Sequence, residues 1–270
     1  MKGKAWRGLL IGAVSAAAVI TGWIGFCGYQ WSWGPFARLH DIKTAGLPGN
    51  ATQYDLTNVQ RITDSPLEGK HILFLGSSVT YGAASQGVSF ADYIAARNGC
   101  TNTKEAVSGT TLVDSGPDSY ISRLKKVDRS TTADLFVCQL STNDATQKKE
   151  LGNVSESYDR GDFDTKTVAG AIEYIISYAK ETWGCPVVFY TNPRYDSGEY
   201  AAMVELLHAI QEKWDITVID LWSDGEFNKI TSEQRGLYMA DSIHPTRAGY
   251  LEWWTPYMEH VIYEAMGKDS

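Results

Sequence analysis

The sequence predicts an α/β domain in which a parallel sheet carries helices on both faces, and three observations predict it. Apolar, β-rich runs recur at His71–Leu75, Leu135–Leu140, Pro186–Tyr190 and Thr217–Leu221, with a weaker one at Thr103–Val107. Between them lie segments whose apolar residues fall at helical spacing, and strand–helix alternation of this kind means right-handed crossovers and a parallel sheet. The chain has 270 residues and 43% hydrophobic content, enough for one sizeable core once an N-terminal segment is set aside.

That segment, residues 1–30, reads as a membrane anchor. Lys2, Lys4 and Arg7 precede a run from Leu9 to Cys27 without a charged residue, close to the roughly 20 apolar residues that span a bilayer as a helix. Positive charge ahead of the span predicts a cytoplasmic N-terminus and an extracellular domain on a single-pass protein. Trp23, Tyr29, Trp31 and Trp33 cluster at its far end like an aromatic belt. The alternative is a secreted protein cleaved near Ala16–Ala18, but the run is longer than a usual signal core and no clean small-x-small site follows it. Phe26 is too large for the position before a lipidated Cys27. Residues 31–69, with Pro35, Pro48, Pro66 and several glycines, read as a connector that either packs on the domain or lifts it off the membrane.

Residues 70–270 form the expected domain. Its first strand stops at Gly76-Ser77-Ser78, which places hydroxyls at the carboxyl edge of the sheet, where ligands bind in open α/β folds. Helical spacing follows in Phe90, Tyr93 and Ile94, then in Tyr120, Ile121, Leu124 and Val127. It recurs through Val168, Ile172, Ile175 and Ile176, and through Met203, Leu206, Leu207 and Ile210. A last helix runs toward Met266, with Pro245 as its expected first residue.

The formal charge of -8 comes from dispersed acidic residues, which argues against nucleic acid, whose binding needs clustered Lys and Arg. Nine Trp and fifteen Tyr supply either core packing or a carbohydrate-facing surface, and packing is the commoner use. Cys100, Cys138 and Cys185 show no metal spacing; one disulfide among them is compatible with an extracellular location.

The polar residues at the strand ends carry the chemistry. Ser78, Gly109, Asn143, Asp241 and His244 all lie at or beyond carboxyl ends of strand runs, so one crevice can collect them. A serine hydroxyl needs a base, and imidazole suits that role near neutral pH. Asp241 stands three residues before His244, close enough to accept the Nδ1–H and fix the tautomer. Pro245 disfavours helix at His244, so the imidazole projects from a loop. The backbone N–H groups of Ser78 and Gly109 and the amide of Asn143 can meet an oxyanion, a donor set whose members are each worth about 10²–10³ in turnover. Ser77, Arg194 and Ile243 are the candidate pocket residues. His40, His71, His208 and His260 lack a comparable setting. Taken singly, a D-x-x-H pair, an Asn-Asp turn or a glycine is most often a cap, a turn or packing; the conjunction in this order is not.

With these four blocks the chain resembles the SGNH hydrolases, the GDSL-like esterases and lipases. The resemblance spans His71 to Met266 and rests on Gly76-Ser77-Ser78-Val79-Thr80, Gly109, Ser141-Thr142-Asn143-Asp144 and Asp241-Ser242-Ile243-His244. Ser77 replaces the usual Asp of the first block and Ser141 the usual Gly of the third. The resemblance implies a flavodoxin-like three-layer sandwich with sheet order 2-1-3-4-5, no metal or organic cofactor, and ester hydrolysis. Candidate substrates are short-chain esters such as O-acetyl groups on extracellular carbohydrate. An O-acyltransferase, a lysophospholipase or lipase-type acylhydrolase, and a non-catalytic surface module are the alternatives.

Overall fold

A computed structural model describes residues 19–26 and 38–267. The chain divides into two compact units, residues 1–48 and 49–270. Of the first, residues 19–26 are helical, with Trp23 stacked on Phe26 at 5.8 Å, and α1 covers Arg38–Ala45. Most of the expected span from Leu9 to Cys27, with Tyr29, Trp31 and Trp33, lies outside the described residues. Among the described residues no helix is long and apolar enough to cross a membrane.

The second unit is built on five parallel strands, β1 (His71–Gly76), β2 (Thr101–Ala106), β3 (Leu135–Gln139), β4 (Val187–Tyr190) and β5 (Thr217–Ile219), in the order β2-β1-β3-β4-β5. Ile72 pairs with Leu135, Phe136 with Val187 and Val188 with Thr217. The helices are α2 (Ser78–Tyr81), α3 (Phe90–Asn98), α4 (Tyr120–Leu124), α5 (Thr142–Thr146), α6 (Val168–Trp183), α7 (Gly198–Trp214), α8 (Ser232–Tyr238) and α9 (Thr255–Gly267). Strand side chains alternate between two cores, and both are apolar, which is why the strand runs are nearly continuous. Leu73, Leu75, Phe136, Cys138, Val187 and Phe189 face one core with residues of α4, α6 and α7. Ile72, Phe74, Leu135, Val137, Val188 and Tyr190 face the other with residues of α3 and α9. Burying each such large apolar side chain contributes about 1.5–3 kcal/mol.

Some elements differ from the sequence expectation. The edge strand β2 starts at Thr101, two residues before the expected run, because TNTKEA is only half-buried and its apolar signal is weak. Pro245 does not begin the last helix. It forms an antiparallel bridge with Met239, supported by Ala240 N–H to the His244 carbonyl at 2.9 Å and Thr246 N–H to the Tyr238 carbonyl at 2.8 Å. Helical backbone resumes only at Arg247 and passes through a π-helical segment, Gly249–Trp254, into α9. Cys100, Cys138 and Cys185 are buried free thiols, so the disulfide that their number allows does not form among them. Burial pushes the thiols of Cys100 and Cys185 up to about 11. From Gly49 onward the connector packs on the domain: Tyr54 and Leu67 are buried, and the Tyr93 phenol donates to the Tyr54 carbonyl at 2.6 Å.

Candidate active site

Strand β1 ends at Gly76, and the chain turns through Ser77 into the one-turn helix α2 at Ser78. Only glycine fits at the pivot, since a Cβ on Gly76 would lie 1.7 Å from Thr80 Oγ1 and 2.9 Å from Gln139 Oε1. Gln139, the last residue of β3, grips the turn. Its Oε1 accepts from the Ser77 N–H at 2.8 Å and from the Thr80 hydroxyl at 2.9 Å. With its proton so used, Thr80 Oγ1 accepts from the Tyr190 phenol at 2.6 Å. The Tyr250 phenol, from the π-helical segment, donates to the Val79 carbonyl at 2.6 Å. Three strands and the final helical run thus fix the turn that carries Ser78, which is 7% exposed.

His244 lies within hydrogen-bond distance of that serine: its Nε2 is 2.8 Å from Ser78 Oγ. On its other side, Nδ1 is 2.8 Å from Asp241 Oδ2. Asp241 Oδ1 accepts from the backbone N–H groups of Ile243 and His244, both at 2.8 Å, so the short loop folds around its own carboxylate. Partial burial works against the Asp241 charge. The hydrogen bond and field of His244 and the two backbone N–H groups outweigh it and lower the pKa to about 2. A carboxylate held ionised beside Nδ1 favours the tautomer with the proton there and leaves Nε2 free to accept.

The other two blocks flank the serine. Gly109 has φ +80°, a left-handed conformation that costs other residues about 1–2 kcal/mol. Arg123, 5% exposed on α4, ties its neighbour to the serine turn. One guanidinium nitrogen donates to the Gly76 carbonyl at 2.7 Å and to Thr110 Oγ1 at 3.2 Å, and the other to the Glu105 carbonyl at 2.5 Å. Ser141 caps α5 by accepting from the N–H groups of Asn143 and Asp144. The Asn143 amide donates one hydrogen to the Thr110 carbonyl at 2.9 Å, which leaves its second donor unused in that bond. Asp144 is fully buried and accepts from the N–H groups of Leu112 and Val113 at 2.8 and 3.1 Å, anchoring the loop that starts at Gly109. Burial pushes its carboxyl above the ordinary value, against the pull of the Ser141 hydroxyl and those N–H groups.

Ser78, His244 and Asp241 therefore form one hydrogen-bonded chain, and Gly109, on its loop, and Asn143, in the first turn of α5, are tied to the same turn. Ser77, a candidate pocket residue, is fully buried, its N–H and hydroxyl both bonded to Gln139 beneath the turn. Ile243 is half-buried beside His244. Arg194 is exposed, its backbone N–H held by Asn228 at 2.9 Å. Two positions nearer the strand, Asn192 donates its amide to the Ile243 carbonyl at 3.1 Å. Gln139, Arg123 and Asn192 are not singled out by the sequence, each being a polar residue in an otherwise ordinary strand, helix or turn, and Asp144 enters there only as part of the third block. Polarity within a strand run was the available signal for Gln139 alone. Among the described residues no group of three or more His, Cys, Asp or Glu side chains converges to hold a metal ion.

Residues 74–251 match the sequence model of the GDSL-like Lipase/Acylhydrolase family, a stretch that contains every residue of the hydrogen-bonded chain. No curated protein matches the chain in sequence. Among solved structures, a protein from Lactobacillus plantarum is 20% identical with a TM-score of 0.55, over 74% of this chain and 96% of that one. A G-D-S-L family protein from Desulfitobacterium hafniense is 15% identical with a TM-score of 0.53, over 72% of this chain and 99% of that one. An acetyl xylan esterase is 14% identical with a TM-score of 0.50, over 72% of this chain and 98% of that one. At these identities the likeness is one of fold, and the sequence match supplies the rest: the chain belongs to the GDSL-like lipase/acylhydrolase family and is an ester hydrolase of the SGNH type.

Proposed function

We propose that the chain is a serine esterase that removes short acyl groups, O-acetyl groups on carbohydrate above all, in two steps through an acyl-enzyme. The observation that carries this reading is the continuous pair of 2.8 Å contacts from Ser78 Oγ to His244 Nε2 and from His244 Nδ1 to Asp241. Ser78 Oγ attacks the ester carbonyl as its proton passes to Nε2. The negative charge then forming on the carbonyl oxygen is met by the N–H groups of Ser78 and Gly109 and the free N–H of the Asn143 amide. His244 returns the proton to the leaving alkoxide as the C–O bond breaks, and Asp241 balances the imidazolium meanwhile. Water, deprotonated by His244, attacks the acyl-enzyme, and the same sequence frees the acid and Ser78.

Two features favour a small acyl group on a polar alcohol. A hollow of about 240 Å³ opens beside Gly109, lined by Thr110, Thr111, Ser115, Pro117 and Ser119. Its hydroxyl-rich wall suits a sugar better than an alkyl chain. The fold is also that of an acetyl xylan esterase. In this reading residues 1–30 anchor the enzyme and hold the domain outside the cell.

The test is labelling of the full chain with a fluorophosphonate probe, beside Ser78→Ala and His244→Ala. Labelling of the parent that disappears in both variants supports the activated serine. A well-folded parent that takes no label would show that the chain of contacts does not activate Ser78, and the reading would fail.

A further inference from the structure

We propose that the segment 49–55, which precedes the family-matched residues 74–251, is part of the catalytic scaffold, with Asn50 the positioning residue that sets His244 against Ser78. This rests on the serine-esterase reading of the site. Asn50 is 6% exposed, and its short side chain bridges the loop after the serine helix and the loop after His244. Its Nδ2 donates to the Ala84 carbonyl at 2.7 Å, and its Oδ1 accepts from the Arg247 N–H at 2.8 Å.

Both ends lead directly to the reacting groups. Ala84 follows α2, and the N–H groups of Gly82 and Ala83 return to the Ser78 carbonyl at 3.0 and 2.9 Å, so the loop is coupled to the serine's own backbone. Arg247 lies three residues beyond His244, at the end of the bridge that joins Pro245 to Met239. One amide thus spans the serine loop and the histidine loop.

The neighbours of Asn50 repeat the pattern. Gly49 is wedged against the histidine loop, where a Cβ would lie 2.0 Å from the Leu237 carbonyl and 2.4 Å from Thr246 Oγ1. Asp55 pairs with the Arg247 guanidinium, whose Nε donates to the Ser85 carbonyl at 3.3 Å. The same two loops are therefore joined twice, by the Asn50 amide and by Arg247 with Asp55 as its counter-ion. Proton transfer between Ser78 and His244 depends on a single contact between these loops, and a displacement of about 1 Å in such a geometry can cost about 10²-fold in rate. Asn50 does not touch the reacting atoms; it fixes the spacing between the loops that carry them.

The experiment compares the full chain with Asn50→Ala and Ser78→Ala in hydrolysis of p-nitrophenyl acetate, fluorophosphonate labelling and thermal melting. Asn50→Ala is expected to melt cooperatively and to lose about 10- to 100-fold in kcat while KM moves less than about twofold, with a matching fall in labelling rate. A folded Asn50→Ala variant with kcat within about twofold of the parent overturns the proposal. Should Asn50→Ala fail to fold, Asp55→Ala, at a side chain 35% exposed, takes its place. It is expected to fold and to lose about threefold or more in kcat, and an unchanged kcat overturns the proposal. Ser78→Ala separates the two ideas: if it retains activity the esterase reading falls, whereas a dead Ser78→Ala beside a fully active Asn50→Ala removes only the scaffold role.

Discussion

The side-chain oxygen of Gln139 lies 2.8 Å from the Ser77 nitrogen, while the Gln139 amide nitrogen is buried and has no hydrogen-bond partner among the described residues. The orientation follows from the donors around it. The N–H groups of Ser77 and Thr80 and both hydroxyls of those residues point at one acceptor, so the oxygen must face them. An orphaned buried donor costs about 1–3 kcal/mol, and a rigid serine turn is what that cost secures.

Gln139→Leu should therefore destabilise the domain and disarm it together. Removing the shared acceptor leaves the buried N–H of Ser77 unpaired, for a loss of about 1–3 kcal/mol. The freed turn should also cost about tenfold in kcat, because Ser78 no longer has one position. Denaturant unfolding and p-nitrophenyl acetate turnover check the two effects separately. A stable variant with parental kcat would show that the turn does not depend on Gln139.

Two glycines in the site should respond very unequally to the same change. At Gly76 a Cβ collides with Thr80 Oγ1 at 1.7 Å, and the strand edge offers no relief. Gly76→Ala should break the serine turn and abolish both labelling and cooperative melting. At Gly109 a Cβ meets nothing within 4 Å, and only the backbone angle of +80° opposes it. Gly109→Ala should fold, lose about 1–2 kcal/mol and keep part of its activity. If Gly76→Ala melts like the parent, the close approach at the turn is wrong.

The sequence carried what is local. Apolar runs marked the strands buried on both faces, and the D-x-x-H loop could be read because Asp241 and His244 are separated by only two residues. The groups that position them are distant: Asn50 and Arg247 are 197 residues apart, and Thr80 and Tyr190 are 110 apart. Such pairs have no periodicity or spacing of their own, and a lone Asn or Gln carries no sign of its partner. The misplaced helix start at Pro245 has the same origin. Proline suits a first helical turn, but the Met239–Pro245 bridge, a tertiary contact, keeps this one extended. Ser77 shows the limit of adjacency, since the residue next to the nucleophile points into the core.

Asp241 holds its charge down to about pH 2, so its own titration leaves the rate untouched through the mildly acidic range. The expected pH profile of kcat/KM has one acid limb of unit slope, falling as imidazole loses its base form. Asp241→Asn should fold, because the side chain is 52% exposed, yet lose about 10²–10⁴ in kcat as the tautomer and the imidazolium lose their partner. Steady-state rates across pH check both statements. A second acid limb between about pH 3 and 5 would place the Asp241 pKa far above the value its hydrogen bonds support.

His208 supplies the contrasting histidine. Its Nε2 is 2.9 Å from Asp220 Oδ2 and its Nδ1 3.0 Å from Gln211 Oε1. Burial opposes its charge, but the bonds to Gln211 and Asp220 and the Asp220 field outweigh it and raise the pKa above 6.5. The stability this adds is fully present below 6.5 and fades as pH rises through the raised folded value. Asp220 moves the other way: burial is outweighed by bonds from Ser223 and His208, its pKa falls below 3.8, and its share is lost in strong acid. His208→Gln should thus cost more stability at about pH 5.5 than at about pH 9, and with the imidazole 42% exposed the difference should stay below about 1 kcal/mol. Fluorophosphonate labelling of His208→Gln should match the parent, because His208 pairs with Asp220 and makes no contact with Ser78. Denaturant unfolding at the two pH values measures the first effect, and a larger loss at pH 9 would reverse the sign argued for the pair.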